Sequence, residues 1–277
     1  MTALARTFRR QPLLAFGAGL VVVQVLAALL APWLAPYDPN AQDVLARLQG
    51  PTAAHWLGTD QLGRDILSRI LHGYGQSLLV SGSSVLLALV TGGTLGVLAA
   101  YSGGWADRII MRGMDILFAF PIILLAIGII AVMGPRDETT ALAIGIVYMP
   151  IFARLLRGPA LVIAGSDFVA GARVLGAGHA RILFRHILPN LASVILVQAS
   201  ISLSTAILVE ASLSFLGLGT QPPAPSLGRM LAEGRSFLLL SPHASLYSGL
   251  AILMASLGFN LMGDALRDLL DPRLKGE

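Results

Sequence analysis

The feature that most restricts this chain is a set of apolar runs too long for a soluble fold. Gln11 to Tyr37 contains no charged residue at all. A bilayer core about 30 Å thick needs about 20 apolar residues in one helix, and within it only helices and closed barrels satisfy their own backbone hydrogen bonds. The chain is 55% hydrophobic and 12% charged, with a mean hydropathy of +0.76; a soluble domain carries about 25% charge. An all-α, polytopic membrane protein follows. The net charge of +4 comes from arginines that punctuate the apolar runs rather than cluster on one surface, so there is no nucleic-acid footprint. With no cysteine, a disulfide framework and a thiolate metal site are excluded.

Six spans are expected. Arg6, Arg9 and Arg10 precede the first apolar run. That run exceeds the 7–15 residues of a signal-peptide core, and more spans follow, so Pro12 to Leu34 reads as a membrane helix entered from the cytoplasm. Tyr37 to Arg69 is a polar external segment rich in turn residues. Ile70 to Tyr101 is the second span, long enough that Ile70 to Ser77 are expected to lie along the outer interface. Within it Ser84, Ala88, Gly92, Gly96 and Ala100 recur every four residues, a strip of small side chains that lets membrane helices approach closely. Ser102 to Arg112 reads as a short inner loop. Gly113 to Met133 is the third span, with Asp115 at its inner interface and a kink at Pro121. Ala141 to about Leu156 is the fourth, ending at Arg154 and Arg157. Leu191 to Leu216 is the fifth. Thr220 to Leu246 is external with one short helix, and Tyr247 to Met262 is the sixth span. The inner segments hold thirteen Lys and Arg against six outside, which sets both termini in the cytoplasm.

Three polar features stand out. The stretch Asp167 to Asn190 carries Arg173, Arg181, Arg185, His179 and His186 between apolar runs, interrupted by Gly176 and Gly178. It reads as two short helices, Phe168 to Leu175 and Ala180 to Ile187, the second closed by Pro189. Such a protrusion can hand force to a soluble partner; the alternative is an ordinary amphipathic loop. In the external segment, Asp60, Arg64 and Asp65 can form a charged knot that fixes an outer loop, or be solvated interface charges. Glu210 sits in the fifth span, where a carboxylate is a functional-site hypothesis by default. Counting about 1.5 Å per residue from Pro189 puts it roughly 30 Å along, near the outer side. There, a hydrogen-bonded interfacial Glu and a substrate contact both remain open.

Some chemistry is absent from the sequence. Lys275 is the single lysine, so the chain cannot supply a P-loop. It has no GxSxG or HExxH, which leaves a membrane-embedded hydrolase without support. Its five histidines are scattered, with no carboxylate cluster to complete a metal site.

The spacing of Ala172, Gly176 and Ile187-Leu188-Pro189 resembles the cytoplasmic coupling loop of ABC importer permeases. That loop's signature runs Glu-Ala-Ala, three residues, Gly, then a fixed run to Leu-Pro; here Ala170 and Gly171 stand at its first two positions. The string His55 to Gly73 is similar to the external segment of the dipeptide, oligopeptide and nickel subfamily. Arg112–Pro121, Glu210–Gly219 and Gly258–Leu274 extend the likeness. The resemblance implies a type I-like ABC importer transmembrane domain over residues 76–277, with its coupling loop at about 166–190, preceded by a first helix and external segment over 1–75. It further implies an inner-membrane permease for peptides, with nickel as the alternative cargo. Its partners would be a second homologous permease, two ATPase subunits that bind ATP and Mg, and an extracytoplasmic solute-binding protein. The chain itself would hold no cofactor and catalyse nothing. Ala172, Arg173, Gly176, Ala177, Arg181, Leu188 and Pro189 would meet the ATPase; Asp60, Arg64, Asp65 and Glu210 are the external or path candidates. The rival class, an ATP-independent channel or secondary transporter, would need charges facing a cavity mid-membrane, where these spans have essentially none.

Overall fold

The computed structural model describes residues 12–270, and the helices among them carry almost all the regular structure, with no strand beyond an isolated bridge between Thr59 and Asp65. The helix α1 spans Pro12–Leu34. The second span is one rod, made of α2 (Ile66–Ala88), a π-helical turn at Leu89–Gly93 and α3 (Thr94–Ser102). Then come α4 (Gly104–Phe118), α5 (Ile122–Met133) and α6 (Asp137–Ala164). The loop helices α7 (Asp167–Val174) and α8 (His179–Arg181) lead through π and 3-10 turns into α9 (Ala192–Phe215). The chain closes with α10 (Leu227–Arg235) and α11 (His243–Leu270). Five of these rods are long and apolar enough to cross a membrane; α4 and α5 pass the same test together but meet at 90°, as in a broken span or a re-entrant loop.

The boundaries depart from the sequence expectation in four places. The second span starts at Ile66, and its first turns continue into the same rod. Asp65 caps it by accepting from the Ser68 amide at 2.8 Å, and Ile66 and Ile70 are buried against Leu227 and Met230 of α10. The third span is not a kinked helix but two helices at 90°. Pro121 is extended, at φ −57° and ψ 130°, and its ring and missing N–H end the helix; the expected inner loop is the first half of α4. The fourth and sixth spans run several residues further at both ends, the fourth passing through Pro150 and Pro159. Pro189 does not stop the second loop helix: the turns over Ile182–Leu191 absorb it, and the rod continues to Phe215. The expected positions of Arg6, Arg9, Arg10, Asp271, Arg273 and Lys275 lie outside the described residues.

Small side chains set the packing. A Cβ at Gly92 or Gly96 would collide with the carbonyl oxygens of Met149 and Ala153 of α6. The strip read from the sequence is therefore a backbone-to-backbone contact, with Ser84, Ala88 and Ala100 buried along it. On the other side α1 lies on α11. Gly17 meets Leu261, Gly258 meets Leu20, and the Gln24 amide donates to the Met254 carbonyl at 2.8 Å. Between α9 and α11, Ser204 Oγ donates to the Ser256 carbonyl at 2.8 Å. In hydrocarbon, where lipid tails are as apolar as leucine, such close contacts and interhelical hydrogen bonds hold the bundle.

Gly96→Ala should lower the thermal midpoint of the purified subunit in detergent, since overpacking costs about 1–3 kcal/mol. Gly113→Ala on α4, whose added methyl would meet nothing within 4 Å, should leave the midpoint unchanged or raise it.

Candidate coupling site and outer charge network

The loop between α6 and α9 is built on a fixed base. Val169, Ile182, Ile187 and Leu191 are buried against Val97, Ala100, Leu156 and Ala160. Tyr101 at the end of the second span shares a hydrogen bond with His179 Nδ1 at 2.6 Å, and the Arg173 guanidinium lies 5.5 Å from the Tyr101 ring centre. Phe168 packs near His186, with ring centres 6.3 Å apart. The turn itself is formed by Gly176 at φ +81°. Its N–H donates to the Arg173 carbonyl and the Ala177 N–H to the Ala172 carbonyl, which ends α7 in the manner of a glycine cap. A side chain at residue 176 would have room but a strained backbone.

What this base holds up is apolar and basic. Val174 and Leu175 at the tip are 87% and 89% exposed, and Phe184 is also exposed. Arg173, Arg181 and Arg185 are exposed around them. Pro189 is exposed, while Ala172, Ala177 and Leu188 are half-buried. The sequence reading thus locates the loop but misses Val174, Leu175 and Phe184; three large apolar residues in a loop otherwise rich in charge are the available signal.

On the opposite side, Asp60, Arg64 and Asp65 are all buried. Asp60 accepts from Arg64 Nε at 2.6 Å and from the amides of Leu62 and Arg64. Arg64 also donates to Glu233 of α10 at 2.9 Å, and Glu233 accepts from Gln61 at 2.9 Å and from Arg229 at 2.7 Å. Arg69 approaches Asp60 at 3.7 Å and donates to the Pro39 carbonyl at 3.0 Å. Asp65 takes a different role: besides capping α2 it contacts His55 Nδ1 at 3.0 Å. The knot therefore ties the external segment to α10. Glu233 and Arg229 lie about 170 residues away in sequence, so spacing alone could not reveal them. Burial disfavours ionisation of Glu233, but hydrogen bonds from Arg229 and Gln61 and the fields of Arg64 and Arg69 outweigh it, holding its carboxyl below the ordinary 4.5.

Glu210 is fully buried, facing neither solvent nor an interface. It accepts from Ser77 Oγ at 2.9 Å and from Ser214 Oγ at 2.7 Å. It thus joins α2 to α9, a hydrogen-bonded carboxyl as one of the two sequence readings has it, but enclosed by this chain.

These features define a multi-pass helical membrane protein with an exposed basic and apolar loop on a packed base. Residues 92–276 match the family described as the binding-protein-dependent transport system inner membrane component, and residues 2–51 match the N-terminal transmembrane domain of oligopeptide transport permease C. The glutathione transport system permease protein GsiD of Pectobacterium atrosepticum is 50% identical over 98% of this chain and 90% of its own length. The dipeptide transport system permease protein DppC of Alkalihalophilus pseudofirmus is 45% identical over 93% of this chain and 85% of its own. Among solved structures, a chain of the MetNI methionine ABC transporter in an inward-facing conformation superposes with a TM-score of 0.60 at 17% identity, covering 73% of this chain and 96% of that one; it shares the fold. The chain belongs to the family of binding-protein-dependent transport system inner membrane components.

Replacing Arg64 by Met should destabilise the outer segment by about 3–5 kcal/mol, because Asp60 is left buried beside only a distant cation. Limited proteolysis of residues 37–65 would report it. Since the Glu233 carboxyl is depressed when folded, its contribution is present above pH 4.5 and is lost as pH falls through its folded value. The difference in thermal midpoint between wild type and Glu233→Gln should stay constant down to about pH 5 and shrink below it.

Proposed function

We propose that this chain is the permease subunit of an ATP-driven importer of small peptides. The observation that carries the reading is the coupling loop, where exposed Val174, Leu175 and Phe184 ringed by arginines stand on a base buried under the second and fourth spans. In this reading two ATPase subunits bind ATP and Mg, and at least one docks at residues 172–189. A second homologous permease completes the path, an extracytoplasmic solute-binding protein delivers the cargo, and both termini are cytoplasmic. This chain then holds no cofactor and performs no hydrolysis. Small peptide is favoured over nickel because the relatives in the preceding section are named for glutathione and dipeptide transport.

Uptake by proteoliposomes holding the full complex tests this, with labelled dipeptide, glutathione and nickel compared with and without ATP. ATP-dependent uptake of one of the two peptides is expected. Uptake indifferent to ATP would overturn the assignment, and nickel uptake alone would replace the cargo. Gly176→Asp should reduce peptide uptake at least about tenfold while ATP hydrolysis continues, because it strains the turn and puts a carboxylate among the docking arginines. Undiminished uptake in that variant would remove the loop from the mechanism.

A further inference from the structure

The helix α4 has a face that the transport reading does not use. It meets α5 at 90°, and α5 has only 12 residues, about 18 Å of rise against a core of about 30 Å. If α5 runs along the bilayer normal, α4 lies near the membrane plane. A second measure agrees. Asp115 pairs with Arg154 of α6 at 2.6 Å and Asp107 pairs with Arg157 at 2.5 Å. The two acids are eight residues apart on α4, about 12 Å, while their partners are three apart on α6, about 4.5 Å. Counted from Asp137 at the outer end of α6, the partners stand about 25 and 30 Å deep, at the inner edge of the core.

Both acids of α4 are thus neutralised by α6. Arg108 and Arg112 are exposed and, among the described residues, make no ion pair; the one hydrogen bond of Arg108 is local, from Nε to the Gly104 carbonyl at 3.3 Å. They share an exposed face with Trp105, Ile109 and Ile116, and Trp105 is 71% exposed. An in-plane helix with Trp and Ile beside two unpaired arginines, at the depth of the inner headgroups, matches an anionic lipid surface in both charge and polarity. The arginine stems can reach along the hydrocarbon edge and lift their heads to phosphate.

We propose that the Trp105–Arg108–Ile109–Arg112–Ile116 face of α4 binds anionic phospholipid headgroups of the inner leaflet. This rests on the orientation given under the proposed function, with the coupling loop in the cytoplasm. The chain has no cysteine, so Ile109→Cys offers one thiol for a bimane label, and the complex with the unmodified chain gives the background from other subunits. The labelled complex is placed in bilayers of phosphatidylcholine with phosphatidylglycerol, either lipid brominated on its chains. Quenching per mole should favour the brominated phosphatidylglycerol, on the order of tenfold for two arginines near the surface. In Arg108→Gln/Arg112→Gln the ratio should fall to near one, and 0.5 M salt (roughly a 4 Å screening length) should weaken it in the parent. Equal quenching, or a preference that survives the double substitution, would overturn the proposal. So would absence of quenching by either lipid with the introduced thiol cross-linking to a protein subunit. ATP-driven uptake in the same bilayers reports separately on the transport reading, so failure of one is distinguishable from failure of the other.

Discussion

The carbonyl oxygens of Met149 and Ala153 occupy the space that side chains at residues 92 and 96 would fill. This contact between two backbones places the second span directly on α6, and much of the structure is built from α6 outward. At its outer end Thr140 Oγ1 donates to the Leu218 carbonyl at 3.3 Å and Asp137 accepts from Gln76. At its inner end Leu156 and Ala160 support the coupling loop, and Arg154 and Arg157 hold α4. Glycine matters here through the space it leaves rather than through backbone freedom. Without a hydrophobic driving force between helices in lipid, close packing of this kind supplies most of the available attraction.

Much of this is legible in the sequence because membrane physics is strict about composition. Apolar run length marks the spans, the four-residue recurrence of small side chains marks a packing surface, and Gly176 marks the turn. What is not legible depends on partners distant in the chain. Pro121 reads as a kink; the 90° break also sets where α4 lies, with Asp107 and Asp115 paired to Arg157 and Arg154 of α6. Pro189 reads as a stop; it is tolerated because a π turn precedes it and Leu191 is buried under the bundle. Counting rise gives Glu210 a depth and says nothing of which side of its helix faces inward. Its enclosure by Ser77 and Ser214 is a property of the packed bundle. Asp60 and Arg64 are recognisable as a pair, whereas Glu233, which completes them, comes from another external segment.

The two polar regions differ in how charge is handled. In the outer network every charged group at its centre has a partner, and removal of one leaves another buried and uncompensated. Such an arrangement fixes the external segment on α10. The coupling loop is the reverse: its arginines are exposed and its apolar tip is uncovered, which is costly for a surface with no partner. The same chain thus has one region whose charges satisfy each other and another whose basic and apolar groups are exposed.

The coupling loop is also continuous with a span. From His179 the chain stays helical to Phe215, so its second half is the foot of the rod that carries Ser204 and Glu210. That rod is tied to α11 through Ser204 and Ser256 and to α2 through Glu210 and Ser77. The rod is thus held by hydrogen bonds on two sides, and its irregular place is the π and 3-10 stretch around Pro189. Side chains packed to crystalline density do not deform continuously. A displacement of residues 179–181 would then be carried by α9 turning as a body with its attached helices, or be taken up locally by a change of winding at Ile182–Leu191.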